Sequence, residues 1–172
     1  MSNEQRIRLE NFSETDFDTL ISWVKDEKEL IQFAGQIFRF PLTTEQLKEY
    51  LKDKNRHPFK IVLNNSNTVI GHCEAYQTSN NTVKLCRIII GDKRYRGQGL
   101  GYEATKTLIN WCIKNLRPKT IELNVYDFNT IAIKCYEKLG FQRTNDSKTI
   151  ILNGENWTSV RMYLDVKDQS SL

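Results

Sequence analysis

Two hydrophobic periods alternate in blocks along the chain. Polar and apolar residues take turns over 6–10, which predicts a first strand with Ile7 and Leu9 facing inward. Ser13, with Asp16 three residues on, has the form of a capping box. Phe17, Leu20, Ile21 and Val24 then repeat at helical spacing, and 26–33 reads as a second short helical piece. Thr43 with Gln46 makes another capping box for a helix over 45–52, whose apolar side is Leu47, Tyr50 and Leu51. The intervening 33–41 is irregular and rich in phenylalanine, a composition that suits the wall of an acceptor site. Strands are predicted over 59–63, 69–76 and 83–90. Asn64-Asn65-Ser66-Asn67 and Ser79-Asn80-Asn81 supply the turn chemistry of an antiparallel meander.

Beyond residue 100 the period lengthens. Leu100, Ala104, Leu108, Trp111 and Asn115 lie on one face of a helix, and 120–126 alternates as a strong strand. Asn129 caps a further helix through Ile131, Ala132, Cys135, Tyr136 and Leu139, which Gly140 stops. Strands over 147–152 and 157–166 flank Asn153-Gly154, a strong hairpin signal, and 168–172 is a polar tail expected to fray. Strand 85–90, a glycine-rich turn, a helix and strand 120–126 make a βαβ unit, so those two strands are expected to run parallel. The fold class expected is α+β, in one domain spanning 1–172.

The turn inside that unit concentrates the chemistry. Gly97, Gly99 and Gly101 stand at every second position where a strand hands over to a helix, with Arg94 and Arg96 beside them. Glycine lets a ligand approach the backbone, and a helix start offers unpaired N–H groups carrying partial positive charge. Such a turn cradles phosphates. It is neither G-x-x-x-x-G-K-[ST] nor G-x-G-x-x-G, so a P-loop and a dinucleotide fingerprint are both disfavoured.

Composition narrows the picture further. A net charge of +4 is mild and its charges are interspersed, without the basic stripe and interleaved aromatics of a nucleic-acid binder. No run approaches the ~18 apolar residues of a membrane span, and the N-terminus lacks a signal-peptide pattern, so a cytoplasmic protein is expected. Cys73, Cys86, Cys112 and Cys135 are scattered within apolar runs and are not spaced with His57 or His72 for zinc. They read as buried, reduced thiols, and no metal is expected.

At this point two stretches carry a resemblance. Arg96-Gly97-Gln98-Gly99-Leu100-Gly101 resembles the [RQ]-x-x-G-x-[GA] signature of the GNAT superfamily of acyl-CoA N-acyltransferases. The segment from Asn129 through Ala132 and Tyr136 to Gly140-Phe141 resembles its second signature, N-x-x-A-x-x-x-Y-x-x-x-G-F. The likeness covers about residues 59 to 166, and the closing hairpin with Gly154 and Trp157 is similar to the ribosomal-protein and polyamine N-acetyltransferase branch. It implies a mostly antiparallel sheet of about seven strands with one splayed parallel pair and helices on both faces. The pantetheine arm of acetyl-CoA would lie in the splay, and the pyrophosphate on the amides of Arg96, Gly97, Gln98, Gly99, Leu100 and Gly101, with Arg94 nearby. Asn129 would touch the cofactor arm. Tyr136 would stand near the sulfur as proton donor, and backbone N–H groups of Ile88, Ile89 and Ile90 would hold the oxyanion.

The resemblance implies direct attack of an amine on the thioester, where proximity supplies much of the acceleration. A phenol of pKa ~10 can protonate a departing thiolate of ~8.5. The base is less defined. Where that branch often carries a glutamate, this chain has Leu85 and Arg87. Glu74 is the candidate taken forward, Glu122 and a water relay being the others; Arg87 is either a solvated surface residue or an attractor for an acidic acceptor. Two functions stand side by side: an N-acetyltransferase acting on a primary amine, and a CoA-binding sensor with little turnover. Phosphate-only nucleotide binding is a third. No acidic cluster advertises a polyamine site, so peptide N-termini, small amines and aminoglycosides all stay open as acceptors. A homodimer is also open, with Trp157 as an exposed aromatic that would serve it.

Overall fold

The computed structural model describes residues 5–169, so part of the predicted tail lies outside the described residues. Seven strands form one sheet: β1 (Ile7–Asn11), β2 (Arg56–Leu63), β3 (Val69–Gln77), β4 (Thr82–Ile90), β5 (Thr120–Tyr126), β6 (Gln142–Leu152) and β7 (Glu155–Asp165). Their order is β1-β2-β3-β4-β5-β7-β6, antiparallel throughout except for the parallel pair β4–β5. The predicted strands are all present. Two are longer than their apolar runs. β2 starts at Arg56, ahead of Pro58, and β6 starts at Gln142, where a polar, exposed edge carries no alternation and pairing with β7 alone holds the strand.

The helices are α1 (Phe17–Trp23), α2 (Glu27–Ala34), α3 (Thr44–Tyr50), α4 (Leu100–Asn115) and α5 (Thr130–Lys138). Side-chain caps set three of the starts. Asp26 accepts from the Glu29 amide at 2.8 Å, Thr43 from Gln46 at 3.3 Å and Asn129 from Ala132 at 3.3 Å. The last hairpin turns on Asn153 and Gly154, both with positive φ (52° and 81°), as a two-residue primed turn requires.

The sheet separates two cores. On one face Phe59, Ile61, Cys73, Ala75, Val83, Leu85, Ile121 and Leu123 pack with Leu100, Ala104 and Leu108 of α4 and Ile133 of α5. On the other, Phe12 joins Phe17, Leu20, Leu30, Phe33, Leu47 and Tyr50 of α1, α2 and α3. β4 changes sides between them. Val83 and Leu85 face α4, yet so do Ile88 and Ile90, whereas Ile89 packs with the α1–α3 core. Ile88 stands three positions after Leu85 where alternation would need two or four, so an extra residue has been inserted. The register slips there, from Glu74↔Cys86 to His72↔Ile89, and Arg87 takes a left-handed φ of 51°. That bulge turns the Arg87 side chain out of the α4 core.

The same place opens the sheet. β4 and β5 pair only from Thr82↔Thr120 to Leu85↔Leu123, after which they diverge. Trp157 corrects one expectation: it is 7% exposed, packed with Ile31 and Leu152 and edge-on to Tyr126 and Phe128. A ring closed in by its own hairpin and α2 offers nothing to a dimer.

Candidate active site

The divergence of β4 and β5 creates a cleft of 610 Å³ that passes through the sheet. Cys86, Arg87 and Ile88 of β4 line one side, and Leu123, Asn124, Val125 and Tyr126 of β5 the other. Asn129 and Tyr136 reach it from α5. On the opposite face it opens among Gln32–Ile37 at the end of α2, Arg56, Tyr76, Lys84 and Lys148. Residues 33–37 of the phenylalanine-rich segment thus form part of this wall, whereas Phe38 and Phe40 do not line it.

Backbone direction sorts the three β4 amides. A Cβ placed on Gly71 would collide with the Ile89 carbonyl oxygen, so Ile89 turns its backbone polar groups toward β3. Alternation then points the N–H groups of Ile88 and Ile90 at the splay, while that of Ile89 faces the neighbouring strand. The bulge carbonyl is held from behind. His72, 1% exposed, sets Nδ1 at 3.0 Å from the Arg87 carbonyl oxygen, and since a carbonyl only accepts, that nitrogen carries the proton. Burial lowers the His72 pKa to about 4, so the ring is neutral near pH 7.

The glycine stretch is braced rather than loose. Gly97 and Gly99 both have positive φ (75° and 78°), and Gly99 is the N-cap of α4. The Glu103 amide bonds the Gly99 carbonyl at 3.2 Å, which leaves the amides of Leu100, Gly101 and Tyr102 as the unpaired start of a sixteen-residue helix. Arg96 folds back, its Nε donating to the Ile90 carbonyl at 2.7 Å. Arg94 pairs with Asp92 (2.6 Å) and is largely exposed. Arg6, which the strand pattern alone did not single out, donates to the Gln98 carbonyl at 3.0 Å and through Nε to Glu103 at 2.6 Å. Gly91, at the strand end, lies under Trp23, and any Cβ there would collide with the indole.

Tyr136 is half-buried, edge-on to Phe141, and its phenol pKa is raised by desolvation, with Cys135 and Cys86 adding to the shift. The phenol is therefore protonated near neutral pH and is not a base. Cys73 and Cys112 are buried, whereas Cys86 and Cys135 are only partly so; burial pushes the Cys86 thiol up to about 11, and all four are free thiols.

Glu74 occupies different ground. It is fully buried and does not line the cleft. Arg87 grips it through two bonds, Nε to Oε2 at 2.7 Å and Nη2 to Oε1 at 2.5 Å. Arg56 adds Nη1 to Oε1 at 3.0 Å, and the Tyr50 hydroxyl donates to Oε2. Burial raises its pKa, but the Arg87 hydrogen bonds and charge, then Tyr50 and Arg56, outweigh that and hold the carboxyl below its ordinary range. Tyr50, by contrast, is raised well above its ordinary value by burial and by the Glu74 charge. Glu122 pairs with Arg161 at 3.5 Å and does not line the cleft either. Sequence reasoning missed Arg56, Tyr50 and His72, since their partners stand on other strands and helices.

Comparison with known proteins places this geometry in context. The family model described as "Acetyltransferase (GNAT) domain" matches residues 6–142. The Bacillus subtilis spermine/spermidine N(1)-acetyltransferase is 37% identical over 76 residues, 44% of this chain and 47% of that protein. The chain spans 64%, 30% and 47% of the lengths of three curated relatives it matches. Spermidine N-acetyltransferase from Vibrio cholerae, solved with CoA and spermine, superposes with a TM-score of 0.79 at 19% identity, over 95% of this chain and 96% of that one. AAC(6')-Ib, solved with ribostamycin and coenzyme A, gives 0.76 at 19%, over 97% and 98%. At those identities the similarity is one of fold.

Proposed function

This chain belongs to the GNAT acetyltransferase family, and on that premise we propose that it transfers an acetyl group from acetyl-CoA to a primary amine. The observation that carries the reading is the through-sheet cleft, which brings β4, β5, Asn129 and Tyr136 to one place. The pantetheine arm lies in the splay beyond Leu85 and Leu123, and the pyrophosphate on the amides that open α4. Gly97 leaves open space above its Cα, so the backbone can be approached closely.

The acceptor nitrogen attacks the thioester carbon from the α2 side of the cleft. As the tetrahedral oxyanion forms, the N–H group of Ile88 receives it, positioned by the bulge that His72 holds. Collapse breaks the carbon–sulfur bond, and the Tyr136 phenol gives its proton to the thiolate. The attacking amine releases its proton to water in the cleft, because Glu74 is sequestered by two guanidinium groups and a phenol. Glu74 thus serves to orient Arg87 and Arg56 instead of acting as base.

The test is thiol release from acetyl-CoA with a panel of primary amines, for the native chain and Tyr136→Phe. Turnover that falls steeply in the variant supports the reading. Tight CoA binding without turnover on any amine would replace it with a CoA-binding sensor.

A further inference from the structure

The acceptor half of the cleft carries a charge unsuited to polycations such as the spermine and ribostamycin bound by the two solved structures above. Four cationic side chains line it: Arg56, Arg87, Lys84 and Lys148. Among the described residues, no aspartate or glutamate lines it. Glu74, buried behind the wall, answers both guanidinium groups at once. Arg56 is clamped between the rings of Tyr50 and Tyr76, with its guanidinium carbon 4.8 and 4.9 Å from their centroids. It donates one hydrogen bond, through Nη1, and its Nε stands 3.5 Å from Asp53 without meeting hydrogen-bond geometry. Rigidly held, it keeps donors to spare. Lys84 reaches only the Asn124 side-chain amide, at 3.0 Å once that amide is oriented to satisfy its neighbours. Lys148 forms no ion pair among the described residues.

The phosphates of CoA do not account for this charge. None of the residues from Gly91 to Gly101, where the pyrophosphate is held in the reading above, lines this cleft. A polycation such as spermine or an aminoglycoside would have to place further ammonium groups against these side chains, and like charges within a few ångströms are costly. Glu49 and Asp53 line a separate depression beyond Arg56, and Glu122, the register partner of Lys84 on β5, is paired with Arg161 and does not line the cleft.

We propose that the acceptor is a small primary amine that also bears an anionic group, a carboxylate or a phosphate, seated against Arg56, Lys84 and Lys148. This rests on the acetyl-transfer reading and names its substrate class. The arrangement also serves the reaction. Arginine presents a planar fork suited to either anion, and lysine adds charge without demanding geometry. The surplus cations disfavour the ammonium form of the attacking nitrogen, which promotes the neutral amine in a site without a free carboxylate base.

The test compares matched amines with the full chain and acetyl-CoA: ethanolamine against phosphoethanolamine, glucosamine against glucosamine 6-phosphate, and propylamine against β-alanine, with spermine and kanamycin as polycations. At least one anionic member is expected to exceed its neutral partner in kcat/KM by about tenfold or more. The phosphate and carboxylate pairs show which anion is read. Lys148→Glu and Lys84→Glu, on side chains outside the buried ion cluster, are expected to erase that preference by raising the acceptor KM, with the acetyl-CoA KM unchanged. Spermine or kanamycin turning over faster than every anionic amine would overturn the proposal. A second readout does not need turnover. Melting of the CoA-loaded chain should rise with phosphoethanolamine, glucosamine 6-phosphate or β-alanine and lose that rise in Lys148→Glu. No rise with any of the three, or one with spermine alone, overturns the anionic subsite. Failure of every amine to turn over while the anion-dependent rise persists would remove the transferase reading and keep the subsite.

Discussion

His72 Nδ1 donates to the carbonyl oxygen of Arg87 at 3.0 Å, so a buried, neutral imidazole fastens the one left-handed residue of β4. Phe12 and Phe33 close on the ring edge-on, at centroid distances of 4.7 and 5.8 Å, and Nε2 has no partner among the described residues. The bulge aims the Ile88 amide into the splay, so in the proposed reaction His72 would be a positioning residue for the oxyanion. Replacing it with phenylalanine keeps a planar aromatic ring, somewhat larger, but orphans the carbonyl. Such a loss costs about 1–3 kcal/mol. Urea denaturation should show that destabilisation, and kcat should fall with the acetyl-CoA KM little changed.

The same ring predicts an acid sensitivity. Its folded pKa, about 4, lies below the unfolded value of 6.5, so the unfolded chain binds the proton more readily. The contribution to stability is complete above pH 6.5 and is lost as pH falls toward 4, reaching roughly 3 kcal/mol. Glu74, Arg87 and Asp16 are the charged groups that act on it. Glu74, whose pKa is also lowered, loses its contribution in more acid solution still, below its unfolded value of 4.5. Denaturation midpoints between pH 7 and 4 should therefore drop, and the His72→Phe variant should show a flatter profile across that window.

Glu74→Gln separates two roles. A general base would lose kcat with its fold intact. A carboxylate shared by Arg56 and Arg87 leaves two buried cations uncompensated when it is neutralised, at a cost of about 3–5 kcal/mol. The expected result is a large fall in the denaturation midpoint, accompanied by a rise in acceptor KM as the arginines lose their anchor.

For Tyr136→Phe the fold should be retained, because only a hydroxyl is removed from a half-buried ring. Loss of the proton donor should lower kcat by about 10²–10⁴. Steady-state kinetics check this, with an acetyl-CoA KM close to native.

Gly91 and Trp23 form a lock between the start of the chain and the end of β4. Gly91→Ala forces a Cβ into the indole, an overpacking expected to cost about 1–3 kcal/mol. Trp23→Leu should absorb part of that cost, so a double-mutant cycle in denaturant should give a coupling well outside additivity.

The order of elements, their caps and turns, the glycine stretch and the Asn129–Tyr136 spacing were all legible in the sequence, because each acts over a few residues. Asn153-Gly154 needs only its own two φ angles, and Thr43 needs only the amide of Gln46. The face of Arg87 was not legible. Leu85, Ile88, Ile89 and Ile90 are compatible with either parity, and one inserted residue, stabilised from β3 by His72, reverses it. Nor was the state of Glu74, whose partners Arg87, Arg56 and Tyr50 are 13, 18 and 24 residues away and come from β4, β2 and α3. A strand pattern shows that Glu74 is polar among apolar neighbours, but not whether its carboxylate meets water or guanidinium. Local chemistry wrote the scaffold and the glycine-rich turn before α4. Long-range pairing across the sheet decided which charges face the cleft, because only there do separated residues come within a hydrogen bond of one another.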